Sequence, residues 1–525
     1  MIVTRLRPAV LRLPATLGRH GCVNCTKRFI ASGPPHSPAP TAAVPAAILS
    51  SLTNELDKIA PRFEVDAERI QIIRSPADFY AELKKRILKA KTRIFLSTLY
   101  IGKTEHELID TLRQALRSQP SLKVSILSDA LRGTRETPKA SCASLLAPLV
   151  EEFGEERVSI RMYHTPNFTG LKKKIVPNRL NEGWGLQHMK LYGIDDEIIM
   201  SGANLSTDYF TNRQDRYHLF SCPHLTDYFE RIHNAVCSIS YRVLPGPEEV
   251  GGYVLDWPES NPAPIPVDEP ERFKIAATSL LGPLMLPPAT GANTPPTVAK
   301  TVVYPVGQFT PLLHPTDIST EHPALSTVLR VLGEEKGSKW LLTAGYFNIH
   351  PQLKELLLNS KSIKGTVVTA APEANGFYGS KGVSGMLPPA YTLLSRRFLE
   401  DVIKLGKENS IELREWKKGV HGKDPNAWTY HAKGVWVTMP NEDSPSITLV
   451  GSSNYTKRSY SLDLEMNALV VTKDEKLKKR LGAETDWLQE NTQKVTLEDF
   501  QRSERRVSLK VRLALWLVGV LGGQL

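Results

Sequence analysis

Two stretches of the chain place a histidine and a lysine two residues apart and follow them with the same sequel. The first reads QHMKLYGIDDEIIMSGANLSTDYFTNRQDRY over 187–217, the second YHAKGVWVTMPNEDSPSITLVGSSNYTKRSYSLDLEMN over 430–467. His188 and Lys190 lead to Gly202 and Asn204, and His431 and Lys433 lead to Gly451, Ser453 and Asn454. Asp215 lies 11 positions beyond Asn204, and Glu465 lies 11 beyond Asn454. One H-x-K pair is common on exposed strand faces; its repetition with the same sequel singles these residues out.

Residues i and i+2 of a strand point the same way, so each histidine faces one pocket with its lysine. Two histidines, two lysines and two asparagines converging on one point form a receptor for a phosphate group. The lysines neutralise its oxygens and the amides of Asn204 and Asn454, with Ser453, orient them. One imidazole can attack phosphorus while the other protonates the leaving oxygen. Asp215 and Glu465 are the carboxylates expected to orient the imidazoles. The sequence holds no evident metal-ligand cluster and implies no cofactor, while divalent-ion stimulation stays open.

These residues carry a resemblance. His188, Lys190 and Asp195 fit the H-x-K-x-x-x-x-D signature of the phospholipase D superfamily, and Gly202–Asn204 and Gly451–Asn454 resemble its small-x-Asn sequel. Within that superfamily the chain is similar to the eukaryotic mitochondrial phosphatidylglycerophosphate synthases. The similarity rests on Pro61–Phe63, SPADFY at 75–80, LYIG at 99–102, the first motif and YHAKGVW at 430–436, and spans roughly residues 50–500. The resemblance implies a catalytic set of His188, Lys190, Asp195, His431 and Lys433. The second motif departs from the pattern, with Thr438 where its Asp should stand.

The resemblance also implies the partners, CDP-diacylglycerol and glycerol 3-phosphate, and a phosphohistidine intermediate, with His188 favoured over His431 as the nucleophile though spacing does not decide between them. A lipid hydrolase of the same superfamily would keep both histidines and use water as acceptor. A nucleic-acid phosphodiesterase of this fold would need a strongly basic groove. The formal net charge is +11, but residues 1–54 hold six basic and no acidic residues, which leaves a surplus of only +5 elsewhere. No nucleic acid is therefore expected as a partner.

The elements that must position the motifs also repeat. Strand-like runs at 92–100, 123–128 and 158–163 alternate with helical patterns at 105–116 and 141–153. The second half repeats the order with strands at 339–347, 366–371 and 411–416 and helices at 351–358 and 391–407. Tyr100 precedes His188 by 88 positions, and Tyr346 precedes His431 by 85. This order predicts an α/β fold of two duplicated phospholipase D-like lobes, each a mostly parallel or mixed sheet flanked by helices, with the active site where the lobes meet.

Residues 1–50, with arginines spaced among Leu, Val and Ala and then a Pro-rich tail, read as a mitochondrial transit peptide and leader. Cys22 and Cys25 fall inside it without a second pair to complete a zinc site, and Cys142, Cys222 and Cys237 read as thiols of a reducing compartment. The lobes are expected over 51–244 and 306–500. Between them, 245–305 is Pro-rich and reads as a linker or insertion without a continuous helix.

Arg132 and Arg135 follow a strand and are candidates for the acceptor's phosphate. The glycine-rich run from Gly376 lacks the pattern of a nucleotide-binding loop. Lys172–Lys174 reads as a solvated loop able to meet anionic headgroups. In the tail 501–525, basic Arg505, Arg506, Lys510 and Arg512 precede the short apolar run LALWLVGVL. That pairing suits shallow insertion into an anionic membrane surface, or equally a terminal helix docked on the core; with no other stretch able to cross a bilayer, the protein is expected to be peripheral on the inner mitochondrial membrane.

Overall fold

A computed structural model describes residues 43–176, 181–287 and 299–520. The leader read as a transit peptide lies almost wholly outside these residues. In the first lobe the strands Arg93–Ser97, Lys123–Asp129 and Val158–Tyr163 run parallel, joined by the helices His106–Ser118 and Cys142–Phe153. The second lobe repeats this with Lys339–Ala344, Lys364–Ala370 and Ile411–Trp416. On the other side of Arg93–Ser97 the chain adds Leu191–Ile194, Glu197–Ser201 and Tyr217–Ser221, all antiparallel. The second lobe again matches, with Lys433–Thr438, Ile447–Gly451 and Glu465–Thr472.

Among the described residues the main sheet of each lobe has nine strands and is mixed. The expected parallel character is confined to the three strands with helical crossovers. After each H-x-K the chain turns back in a hairpin, and a hairpin can only pair antiparallel.

Alternation along the strands sorts the side chains into layers. In Arg93–Ser97, Phe95 joins a core shared by both sheets, while Ile94 and Leu96 join the outer core of the first lobe. In Lys339–Ala344, Leu341 faces the shared core, and Trp340 and Leu342 face outward. The helices Pro223–Cys237, Pro270–Met285 and Glu475–Gln489 fill the space between the sheets. Pro76–Lys89, His106–Ser118 and Cys142–Phe153 cover the first sheet outside, and Ala43–Leu56, Glu321–Glu334, Pro351–Leu358 and Leu387–Lys404 cover the second.

Two expectations about the organisation differ from the structure. The Pro-rich stretch between the lobes contains the 16-residue helix Pro270–Met285. Pro270 sits in its first turn, where a missing N–H costs nothing, and Phe273, Ala277, Leu281 and Met285 recur every four residues as a buried stripe. Residues 43–64, expected as the end of the leader up to 50 and as the start of the first lobe from 51, pack on the second lobe: Leu49, Leu52 and Leu56 lie in its outer core, and Phe63–Glu64 pairs with Thr301–Gln308.

The antiparallel pairing brings the start of Leu191–Ile194 beside the end of Arg93–Ser97, and Lys433 opposite Ala344. Both H-x-K motifs therefore lie at the carboxyl ends of the parallel strands, where the lobes meet.

Candidate active site

Backbone pairing between the lobes builds the site. Thr429–Tyr430 runs parallel to Arg213–Gln214, and the His431 N–H donates to the Gln214 carbonyl at 2.8 Å. Gln187 bridges to Leu464, and the His188 N–H donates to the Leu464 carbonyl at 3.0 Å. Each histidine is thus laid beside the carboxylate that follows the other lobe's motif. His188 Nδ1 lies 3.0 Å from both Glu465 oxygens, and His431 Nδ1 lies 2.7 Å from Asp215 Oδ2. Because Nδ1 meets the carboxylate, Nε2 of each ring is the nitrogen left for chemistry.

The lysines are fully buried and fixed by their own motifs. Lys190 Nζ donates to the His188 carbonyl at 2.7 Å. Lys433 Nζ donates to the His431 carbonyl at 2.8 Å and lies 2.7 Å from His431 Nδ1 and 3.7 Å from Asp215. Burial lowers both lysines, Lys433 to about 8, and raises Asp215 and Glu465. Burial, with the neighbouring lysine next in weight, holds both histidines well below their ordinary value, so both imidazoles are neutral near pH 7.

Asn204 and Asn454 each keep a buried Oδ1 without a hydrogen-bond partner, an arrangement that costs free energy, while the Nδ2 groups are the donors a phosphoryl oxygen would need. Asn204 Nδ2 lies 3.3 Å from Tyr209 Oη. Ser453 is fully buried, and its Oγ accepts from the Tyr455 N–H at 3.2 Å. Gly202 leaves room for the cluster: a Cβ there would sit 2.8 Å from Asp215 Oδ1 and 2.9 Å from Lys433 Nζ.

Asp195 stands apart from this set. Its carboxylate accepts from the backbone N–H groups of Lys91 and Thr92 at 2.9 Å and of Arg93 at 3.2 Å. It lies at the far end of Leu191–Ile194, about 16 Å of strand from Lys190. The aspartate expected in the catalytic set instead anchors the start of the neighbouring strand. Thr438 ends the Lys433–Thr438 strand opposite Lys339, so the departure in the second motif leaves the histidines untouched.

Arg132 and Arg135 separate. Arg132 lies over the Tyr100 ring at 4.0 Å, pairs with Glu136 at 2.9 Å, and lines a cavity of about 240 Å³ with Tyr100, Lys103, Glu105 and Asp208. Arg135 pairs with Glu182 and does not line the cavity. Lys173 and Lys174 are exposed on the short helix Gly170–Ile175.

Tyr209, Arg213 and Arg458 were not singled out by the motifs, although the ion pairs Asp208–Arg213 and Arg458–Asp463 each stand 4 and 9 positions beyond Asn204 and Asn454. Tyr209 Oη lies 3.3 Å from His431 Nε2, and the rings of Tyr209 and Tyr346 meet the His431 ring edge-on at 5.1 and 5.3 Å. Arg213 is fixed to Asp208 at 3.1 Å and to Thr429 Oγ1 at 2.9 Å, and its charge acts on His431. Beside His188, Arg458 pairs with Asp463 at 2.9 Å. The signal available was a run of charge close to each asparagine, which repetition alone does not rank.

Comparison with known proteins places this geometry in a family. The chain is 47% identical over 493 residues to the CDP-diacylglycerol–glycerol-3-phosphate 3-phosphatidyltransferase of Saccharomyces pastorianus, covering 92% of this chain and 93% of the relative. The chain belongs to the CDP-diacylglycerol–glycerol-3-phosphate 3-phosphatidyltransferase family. The human member, whose name adds "mitochondrial", is 34% identical over 491 residues, covering 88% of this chain and 84% of its own. The crystal structure of phosphatidylserine synthase from Haemophilus influenzae shares the fold, with a TM-score of 0.67 at 20% identity over 90% of this chain and 97% of that one. No protein-family model matches the sequence.

Proposed function

We propose that this protein transfers the phosphatidyl group of CDP-diacylglycerol to glycerol 3-phosphate, giving phosphatidylglycerophosphate and CMP. The observation that carries the reading is the crossed pairing of His188 with Glu465 and His431 with Asp215, in a chain 47% identical to a transferase of that name.

His188 Nε2 attacks the phosphorus on the diacylglycerol side, forming the P–N bond as the P–O bond to CMP breaks. The negative charge of the bound pyrophosphate favours a proton on His431, whose Nε2 gives it to the departing CMP oxygen. The neutral ring then takes the proton of the glycerol 3-phosphate hydroxyl; that oxygen attacks phosphorus and the P–N bond breaks. Lys190, Lys433, Asn204, Asn454 and Ser453 hold the phosphoryl oxygens, and Glu465 and Asp215 keep each ring in the tautomer with Nδ1 protonated.

The acceptor enters the cavity lined by Tyr100, Lys103 and Arg132. Arg132 meets its phosphate, and Arg135, committed to Glu182, holds the loop. Among the described residues no helix is long and apolar enough to cross a membrane. The exposed basic and apolar side chains of Lys510, Arg512, Leu509 and Leu513 suit an anionic surface. With the leader pattern and the mitochondrial mammalian relatives, this supports a peripheral protein of the inner mitochondrial membrane.

The test is product formation by the full chain from CDP-diacylglycerol in mixed micelles, with and without glycerol 3-phosphate. Acceptor-dependent CMP release with phosphatidylglycerophosphate formed, both lost in His188→Ala, is the expected result. CMP release with phosphatidic acid regardless of acceptor would make the protein a hydrolase and overturn the reading.

A further inference from the structure

The two lobes repeat each other in sheet order, but the mouths at the carboxyl ends of their parallel strands differ in chemistry. In the first lobe Tyr100 is covered by the Arg132 guanidinium and opens on the polar cavity described above. In the second, Tyr346 occupies the matching place and meets other rings instead. Its ring lies 5.5 Å from that of Tyr391 and 5.8 Å from that of Phe377, and it meets the His431 ring edge-on at 5.3 Å. All three rings are partly exposed, as are Met386 and Leu387, and Val383 on the same segment is 54% exposed. Lys381 stands exposed beside it.

We propose that this aromatic mouth, Tyr346, Phe377 and Tyr391 with exposed Val383 on the segment that joins the last two, holds the diacylglycerol end of the lipid substrate while its phosphorus lies between the histidines. The proposal rests on the transferase reading above and adds to it the direction in which the substrate lies.

Three observations support it. The rings form an unbroken path from a reacting imidazole to the surface, which a lipid needs because its apolar part begins only a few bonds from the phosphorus. A water-soluble acceptor is matched by the first-lobe cavity, where Arg132 and Lys103 face Glu105, Glu136 and Asp208; an acyl chain there would leave those charges desolvated. Finally, Tyr391 lies on Leu387–Lys404, and that helix packs against the C-terminal helix Leu509–Val520. There Leu509 is 80% and Leu513 57% exposed, beside exposed Lys510 and Arg512. The apolar path therefore continues onto a surface that combines basic and apolar side chains, as an anionic bilayer interface requires.

This arrangement also suits a reaction in two steps. The phosphatidyl group stays on the enzyme with its tails over the second lobe, while CMP leaves and glycerol 3-phosphate arrives through the polar mouth of the first.

The test compares a long-chain CDP-diacylglycerol in mixed micelles with a short-chain analogue that is monomeric in water, using wild type, Phe377→Ser and Val383→Asp. Val383 is exposed, so its substitution leaves folding intact even where Phe377→Ser does not. The expected result is a rise of about tenfold in KM for the long-chain substrate, with kcat/KM for the short-chain analogue changed by less than about twofold. Equal losses on both substrates would make the cluster a prop for His431 and overturn the proposal; no change on either would place the acyl chains elsewhere and overturn it too. If wild type forms no phosphatidylglycerophosphate from either substrate, the transfer reading itself has failed, a result distinct from an equal response of the variants.

Discussion

His188 and Glu465 stand 3.0 Å apart but come from different lobes, 277 positions apart in the chain. His431 and Asp215 repeat the contact in the opposite sense at 2.7 Å. Neither lobe alone owns a complete histidine and carboxylate pair, so the two halves can act only together.

Removing the charge of one carboxylate tests this crossing. In Glu465→Gln the His188 ring loses the partner that fixes its tautomer, and kcat for CMP release should fall by about 10²- to 10⁴-fold with a smaller change in KM. Asp215→Asn should act on His431 in the same way. Activity within a few-fold of wild type in both would show that the carboxylates do not set the imidazoles.

Space around Lys433 is as closely set as charge. Gly202→Ala would place a methyl group 2.8 Å from Asp215 Oδ1 and 2.9 Å from Lys433 Nζ. Both must move, and they belong to the pair that holds His431. We expect kcat to drop about 10²-fold, since sub-ångström displacement of reacting groups is costly, while the melting temperature shifts little. A variant as active as wild type would show that the cluster relaxes freely.

The alkaline side of the pH profile should report the two lysines. Burial lowers Lys190 to about 7 and Lys433 to about 8, so each is cationic below its value and neutral above it. The cations are the forms that bind the phosphoryl oxygens, so kcat/KM for CDP-diacylglycerol should fall as pH rises through about 7 to 8. Profiles measured from pH 6 to 10 that stay level to pH 10 would contradict this.

Asp195 separates what motif spacing conveys from what it does not. The spacing H-x-K-x-x-x-x-D groups it with the histidine and lysine, yet its carboxylate caps backbone N–H groups at 91–93. Asp195→Asn should lower stability by about 1–2 kcal/mol in chemical denaturation and leave kcat per folded molecule within about twofold. A loss of kcat like that of His188→Ala would return Asp195 to the catalytic set.

The duplicated order of strands and helices was legible because period-two and helical patterning are local, and the helix at Pro351–Leu358 and the strand at Ile411–Trp416 fall within their expected bounds. The repeated 11-residue spacing likewise marked Asp215 and Glu465 as partners of imidazoles. Which imidazole each would meet was not legible, because the exchange depends on how the lobes face one another, and spacing within a lobe carries no information about that. The buried stripe of Pro270–Met285 was present in the sequence but was outweighed by its flanking prolines. The role of Arg216 was hidden for a third reason: an arginine beside an aspartate reads as solvent-exposed until the structure buries both.

That arginine supports the last prediction. Arg216 of the first lobe donates from Nε and Nη2 to the two Glu484 oxygens, each at 2.9 Å, and from Nη1 to the Leu449 carbonyl at 2.7 Å, while lying 3.8 Å over the Trp436 ring. His218 and the Trp436 indole N–H complete the shell around Glu484 at 2.9 and 3.0 Å. Arg216 directly follows Asp215, so this clamp also fixes the carboxylate that holds His431. Burial opposes the Glu484 charge, but Arg216 and His218 outweigh it and hold its carboxyl well below the usual range of 4.5. A depressed carboxyl contributes stability that is present above its unfolded value and lost as pH falls through the folded one. Glu484→Gln should therefore cost about 3–5 kcal/mol at pH 7 by leaving Arg216 buried without its counter-charge. The gap from wild type should narrow as pH falls below about 4.5, as read by denaturant unfolding at pH 7 and pH 4. A gap that is the same at both, or absent at pH 7, would show that the ion pair does not hold the lobes together.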